Sequence, residues 1–150
     1  MSSDKKEVLE KKEHQECIDS IKSKLVSMGF GTRPPHLFHH VLYHPDLCVS
    51  IDGNFIVVEF INTNYPGDVM GQQTLCLNNK NRIEAAVCIV SDSLYSLDPE
   101  KLASVKDYVE KWNKYCGTNV VLLRENEYES WFRVRIERST AWKPSELEVR

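Results

Sequence analysis

The sequence lacks an excess of positive charge, a long apolar run and a paired cysteine motif. Its 150 residues include 19 lysines and arginines against 22 aspartates and glutamates, so the net charge is −3 at pH 7. This balance excludes a protein that coats nucleic acid through bulk positive charge. The longest apolar runs, such as Phe55–Val58, are far shorter than the roughly 20 residues of a membrane-spanning helix. We therefore expect no membrane partner, and the charged segment Met1–Lys6 predicts no secretory leader.

The cysteines also lack the spacing of a metal or redox motif. There are five, an odd number, and none forms a CxxC pair: Cys17, Cys48, Cys76, Cys88 and Cys116. Four of them fall in apolar segments, which predicts buried free thiols and a reducing, cytoplasmic location. We find no glycine loop for phosphate and no GxSxG sequence, so these common enzyme classes have no support.

The hydrophobic pattern predicts alternating helices and strands. Residues 5–28 predict an amphipathic helix ended by Gly29, and residues 30–40, with Gly31 and Pro34-Pro35, predict a loop. The other predicted elements are strands Leu47–Ile51 and Asn54–Ile61, a helix Asp68–Lys80, a strand Ala85–Val90, a helix Pro99–Cys116 capped by Asp98, and strands Val120–Leu123 and Trp131–Ile136. This order, α-β-β-α-β-α-β-β, predicts one α/β domain over 1–150 with frayed ends. Its mixed β-sheet is flanked by helices.

The two central strands predict a hairpin with a defined register. Asp52-Gly53 is a preferred pair for a two-residue type I′ turn, so residues whose numbers sum to 105 should face each other. One face is then apolar and belongs in the core. On the other face Asp46 lies opposite Glu59, with Cβ atoms about 4.5–5.5 Å apart. If the two carboxylates are partly buried, either the pKa of one of them is raised or a cation lies between them. Alternatively, both carboxylates reach solvent at a sheet edge.

The residues around this pair resemble a known family. Pro45-Asp46, an apolar strand, a tight turn and a second strand ending in Glu59-Phe60-Ile61 resemble the PD-(D/E)XK, or restriction-endonuclease-like, nuclease superfamily. The similar stretch runs from about Cys17 to Val90, roughly half the chain. The resemblance implies that Asp46 and Glu59 hold Mg²⁺ or Mn²⁺ and that the substrate is nucleic acid, DNA first. It also leaves a homodimer open.

The sequence departs from the family at one position. Ile61 stands where the family has a lysine that aids the attacking water or the phosphate. His44, which the register places opposite Ile61, and Lys80 and Gln73 on the next helix could supply the missing group, as could the neighbouring Gln72. Alternatively these are ordinary surface residues. The resemblance also implies an acidic residue from the first helix, for which the candidates are Glu13 and Glu16.

Two further clusters carry weaker expectations. His36, His39, His40 and His44 would share one face of a helix and could bind zinc, but Pro45 argues against a helix there. Arg133 and Arg135 alternate along the predicted last strand, so they would share a face that could contact phosphates, with Arg138, Lys143, Trp131 and Trp142 nearby in sequence. A solvated strand face is the alternative reading of that cluster.

Three functions remain open at this point. The first is a metal-dependent nuclease in which Lys80 or His44 replaces the lysine. The second is an inactive domain of the same fold that binds nucleic acid or protein, which Ile61 favours. The third is an unrelated α/β domain in which the Pro-Asp and Glu are coincidental.

Overall fold

The computed structural model describes residues 3–34, 37–38, 43–62 and 65–139. Along the chain its elements are α1 (Ser3–Met28), β1 (Gly31–Arg33), β2 (Leu47–Ile51), β3 (Asn54–Ile61), α2 (Tyr65–Asn78), β4 (Ile83–Val90), α3 (Asp92–Leu97), α4 (Pro99–Cys116), β5 (Val120–Arg124) and α5 (Tyr128–Glu137). No described helix is both long and apolar enough to cross a membrane.

The five strands form one mixed sheet in the order β1-β2-β3-β4-β5. The first three strands run antiparallel as a meander, and β4 and β5 run parallel to β3. The carboxyl ends of β3, β4 and β5 therefore lie along the same edge of the sheet. The predicted mixed sheet with helices on both faces is confirmed.

The hairpin between β2 and β3 has the predicted register. Asp52 and Gly53 both have positive φ, 52° and 78°, as a type I′ turn requires. Leu47 pairs with Val58 and Cys48 with Val57, so the partner numbers sum to 105 as expected. The turn thus fixes which side chains face each side of the sheet.

Each face of the sheet buries its own apolar cluster. One cluster joins α1 and α5 to the face that carries Val49, Val58 and Val87. The other joins α2 and α4 to the face that carries Val57, Ile61 and Cys88. Since side chains alternate along a strand, Glu59 lies on the same face as Val57 and Ile61, beneath α2.

The predicted strand Trp131–Ile136 is wrong, because this segment lies in helix α5. Tyr128, Phe132 and Ile136 are buried and recur every four residues, which is the spacing of one helix face. The short window from Trp131 to Ile136 alternates in polarity, and the helical stripe becomes visible only when Tyr128 is included.

Two further elements were not predicted. β1 lies in the segment that we expected to be a loop, and it is held by pairing Gly31–Arg33 with Cys48–Ser50. α3 is a six-residue helix whose N-cap is the Ser91 side chain, which accepts from Leu94 N. Both elements are too short to show a periodic hydrophobic pattern in the sequence.

The helix ends follow the expected capping residues. Gly29 has a φ of +113° directly after α1, and Gly117 has a φ of +67° after α4. Asp98 caps α4 by accepting a hydrogen bond from Lys101 N. These residues confirm the predicted ends of the first and the longest downstream helix.

Candidate functional site at the carboxyl end of β3

Asp46 and Glu59 meet at the edge of the sheet where β3 ends and β2 begins. Glu59 lies in β3 and is 5% exposed, and Asp46 directly precedes β2. Asp46 Oδ2 accepts the main-chain N–H of Phe60 at 2.8 Å. The hairpin register places the two carboxyl groups opposite each other, close enough for each to shift the pKa of the other. The predicted juxtaposition is present, and the pair is largely buried instead of lying open to solvent.

Tyr43 covers Glu59 on the side of α2. Its hydroxyl donates to Glu59 Oε2 at 2.6 Å. The Tyr43 ring packs so closely on Gly71 of α2 that an added Cβ atom would overlap it. The absence of a side chain at Gly71 therefore allows Tyr43 to reach the acid.

His14 reaches the pair from α1. Its Nε2 lies 2.8 Å from the Phe60 carbonyl oxygen and 3.4 Å from Asp46 Oδ2. Its ring also packs against the Phe60 ring, with 5.7 Å between centroids. The hydrogen bond that His14 donates to Asp46 raises the pKa of His14, and the partial burial of the ring opposes this. The raised pKa favours the protonated form of His14 beside Asp46.

The two carboxyl groups have opposite pKa shifts. Burial raises the pKa of Glu59, and the adjacent Asp46 raises it further. Burial would also raise the pKa of Asp46, but the hydrogen bonds from His14, Glu59 and Phe60 N–H outweigh it and lower that pKa. Glu59 accordingly holds a proton and donates it in a hydrogen bond to the Asp46 carboxylate. This arrangement relieves the repulsion that two facing carboxylates would cause.

A third acid lies near the pair in the first turn of α2. Asp68 is half-buried, and its pKa is raised by burial and then by the charge of Asp46. The site therefore carries more acidic groups than the sequence pattern identified.

The two glutamines of α2 face the sheet but do not hydrogen-bond the acidic pair. Gln72 Nε2 donates to the carbonyl oxygens of Val57 and Val87, which cross-links β3 and β4. Gln73 is 4% exposed, and its Nε2 has no hydrogen-bond partner among the described residues. Both are buried, so the expectation of ordinary surface glutamines is wrong.

The structure does not bring Lys80 to the acids. Lys80 follows α2 and precedes Ile83, which pairs with Phe55 at the start of β3. Glu59 pairs with Cys88, which lies about 16 Å further along β4 at the usual strand rise. Lys80 therefore lies at the opposite end of the strands from Glu59 and cannot replace the missing lysine. Ile61 itself is fully buried.

His44 is exposed, whereas the neighbouring Tyr43 contacts Glu59. The other members of the histidine cluster, His36, His39 and His40, lie outside the described residues, as do Trp142 and Lys143 of the arginine cluster.

Arg133 and Arg135 do not share a strand face. They lie two positions apart on helix α5, so their side chains point in nearly opposite directions. Arg135 forms an ion pair with Glu84 at the start of β4, and Arg133 is exposed. Because α5 packs on the sheet face away from Glu59, the predicted nucleic-acid surface is remote from the acidic pair.

The donors at the site fit a hard divalent cation. Among the described residues no set of three or more His, Cys, Asp or Glu side chains is arranged as a metal site. Mg²⁺ commonly uses only one or two carboxylates and completes its shell with water and phosphate oxygens. Asp46 and Glu59 could hold such an ion once the proton on Glu59 is released.

Sequence reasoning missed His14 and Tyr43. His14 lies on the same α1 stripe as Ile18, Ile21 and Leu25, at four-, seven- and eleven-residue spacing. That stripe could have identified it, whereas Glu13 and Glu16 are exposed and point elsewhere. Tyr43 carries no such periodic signal.

Comparison of the chain with protein-family models, with curated proteins and with solved structures finds no match in any of the three.

Proposed function

We propose that this chain is a divalent-metal-dependent nuclease similar to the PD-(D/E)XK enzymes, with Asp46 and Glu59 as its metal ligands. The observation that carries the proposal is the register that places these two acids opposite each other at the carboxyl end of β3. The chain order of a first helix, the hairpin, a helix and a strand parallel to β3 supports the same family. Nucleic acid is the substrate, with DNA as the first to test.

The residues around the acids prepare them for an ion. Phe60 N–H holds one oxygen of Asp46, and the Tyr43 hydroxyl orients Glu59. When protonated, His14 offsets the negative charge of Asp46. When bound, Mg²⁺ or Mn²⁺ supplies Lewis-acid stabilisation of the charge that develops on the phosphodiester during hydrolysis. Glu59 must first release its proton, so activity should rise with pH.

A cleavage assay tests the proposal. Plasmid DNA, single-stranded DNA and RNA are incubated with Mg²⁺ or Mn²⁺ and either the wild type or Glu59→Gln, a variant that keeps the side-chain shape. We expect cleavage by the wild type and a loss of at least about 100-fold in Glu59→Gln, because one ligand is neutralised. The control is Glu13→Gln, which removes an exposed acid from the neighbouring face of α1 and should keep full activity. Equal cleavage by Glu59→Gln would overturn the assignment.

A second candidate function is a binding domain of the same family without catalysis. The fully buried Ile61 favours it, because isoleucine can neither polarise water nor pair with phosphate. In that case a folded wild type cleaves none of the substrates with either metal. It still retains a nucleic acid or a protein in a binding assay.

A further inference from the structure

A cavity of about 160 Å³ lies at the carboxyl ends of β4 and β5, outside the acidic site. Its lining includes Tyr95, Pro99, Leu102, Lys106, Arg124 and Glu127. In sheets with parallel strands, ligands commonly bind beyond the carboxyl ends of those strands. The cavity is therefore placed where a ligand site is expected, but its lining differs from that of the acidic pair.

The cavity lies at the same end of the parallel strands as Glu59 and on the same face of the sheet. Ile61 pairs with Val90, and Val90 pairs with Arg124, so these three residues form one row across the sheet. Two strand spacings separate Ile61 from Arg124, about 10 Å. The cationic side chain that the sequence lacks at position 61 is thus present two strands away in the same row.

The Arg124 side chain is held in place, but not all of its N–H donors have an acceptor. Its guanidinium stacks over the Tyr95 ring, with 3.8 Å from Cζ to the centroid. Nη2 lies 3.9 Å from Asp92 Oδ1, a distant ion pair, and Nε is buried without a hydrogen-bond partner. The side chain as a whole is 38% exposed and lines the cavity, so its terminal amino groups can donate to an anion there.

Lys106 adds a second cation to the lining. It extends from the exposed side of α4, and no ion pair to it occurs among the described residues. The acid in the lining, Glu127, already accepts from Arg124 N through Oε1. The lining therefore carries two cations and one acid, which favours an anion with several oxygen acceptors.

We propose that this cavity is a phosphate subsite, in which Arg124 and Lys106 bind a phosphate of the nucleic-acid strand whose reacting bond lies at Asp46 and Glu59. Planar guanidinium donors match phosphate oxygens, and the ammonium adds charge. The choice of nucleic acid as the source rests on the proposed function. The anion site itself rests on the cavity and its side chains alone.

Binding without metal separates the two proposals, because no cleavage step is involved. The Glu59→Gln protein is labelled with ¹⁵N, and the Arg124 Nε–H resonance is followed during titration. The ligands are inorganic phosphate, sulfate at equal ionic strength, and a short single-stranded DNA with or without a 5′-phosphate. We expect a saturable shift with phosphate and tighter binding of the phosphorylated DNA than of its unphosphorylated form.

Lys106→Gln and Lys114→Gln form a matched pair. Both lysines are exposed on α4, but Lys114 lies about 12 Å further along the helix and does not line the cavity. Lys106→Gln should weaken phosphate binding about two- to fivefold, and Lys114→Gln should leave it unchanged. No saturable shift at Arg124, or equal weakening by both variants, would overturn the subsite. Binding of inorganic phosphate without any gain from phosphorylated DNA would overturn the nucleic-acid source and assign the cavity to a small free anion.

Discussion

At the scale of single residues, Glu59 combines deep burial with a negative neighbour. Burial raises its pKa, and Asp46 raises it further, so the folded protein keeps a proton that the unfolded chain releases above about pH 4.5. The stability contributed by this proton is complete below that pH and is lost as the pH rises. The acid is therefore costly for folding at neutral pH, which is typical of residues kept for chemistry.

Replacing Glu59 by glutamine should stabilise the protein at neutral and alkaline pH. Glutamine stays neutral, can accept from Tyr43 and can donate to Asp46, so it mimics the protonated acid. We expect the free energy of unfolding at pH 8 to rise by about 1–3 kcal/mol and to change little at pH 5. Urea denaturation at the two pH values measures this, with Glu13→Gln as the exposed control. A decrease at pH 8 would contradict the protonated state of Glu59.

The sequence predicted the acids of the site but not the groups that surround them. Asp46 and Glu59 follow from one turn, because Asp52-Gly53 sets the register and the register sets the facing pairs. Tyr43 reaches Glu59 only because α2 passes close by at Gly71, a tertiary contact with no local signal. The wrong placement of Lys80 has the same cause, because helix periodicity gives the face of a residue but not the end of the sheet that it reaches.

At the scale of elements, helix α5 replaces a predicted strand and changes the roles of its arginines. Arg135 pairs with Glu84, and both side chains are about 30% exposed, at 31% and 29%. Arg133 lies on another side of the helix and is exposed. The strand prediction would have made the two residues equivalent.

Alanine substitutions distinguish these two arginines. Arg135→Ala should lower the free energy of unfolding by about 1–2 kcal/mol, because it leaves a partly buried carboxylate at Glu84 without its partner. Arg133→Ala should stay within about 0.5 kcal/mol of the wild type, as exposed substitutions usually do. Chemical denaturation of both variants measures the contrast. Equal losses would contradict the helical placement of this pair.

At the scale of the whole molecule, the proposed ion binding would be linked to proton release and to folding. An ion held by Asp46 and Glu59 must displace the proton on Glu59, so its affinity should increase with pH. An ion that bound the folded chain in preference to the unfolded one would raise the melting temperature.

The thermal shift caused by Mg²⁺ should therefore depend on pH. We expect excess Mg²⁺ to raise the melting temperature by several degrees at pH 9, by much less at pH 6, and not at all in Glu59→Gln. Removing the ion with EDTA should reverse the shift. Scanning calorimetry at both pH values measures it. A shift that is equal at the two pH values, or that persists in Glu59→Gln, would place the ion elsewhere.

The outer strands of the sheet limit how copies of this chain can associate. Among the described residues these strands are β1, with three residues, and β5, with five. An edge so short offers few main-chain groups to a second chain, which discourages strand addition and the aggregation that follows from it. If the protein forms a homodimer, helix faces are better placed than these outer strands to make the contact. The carboxyl ends of β4 and β5, with the cavity beside Arg124, would then stay uncovered.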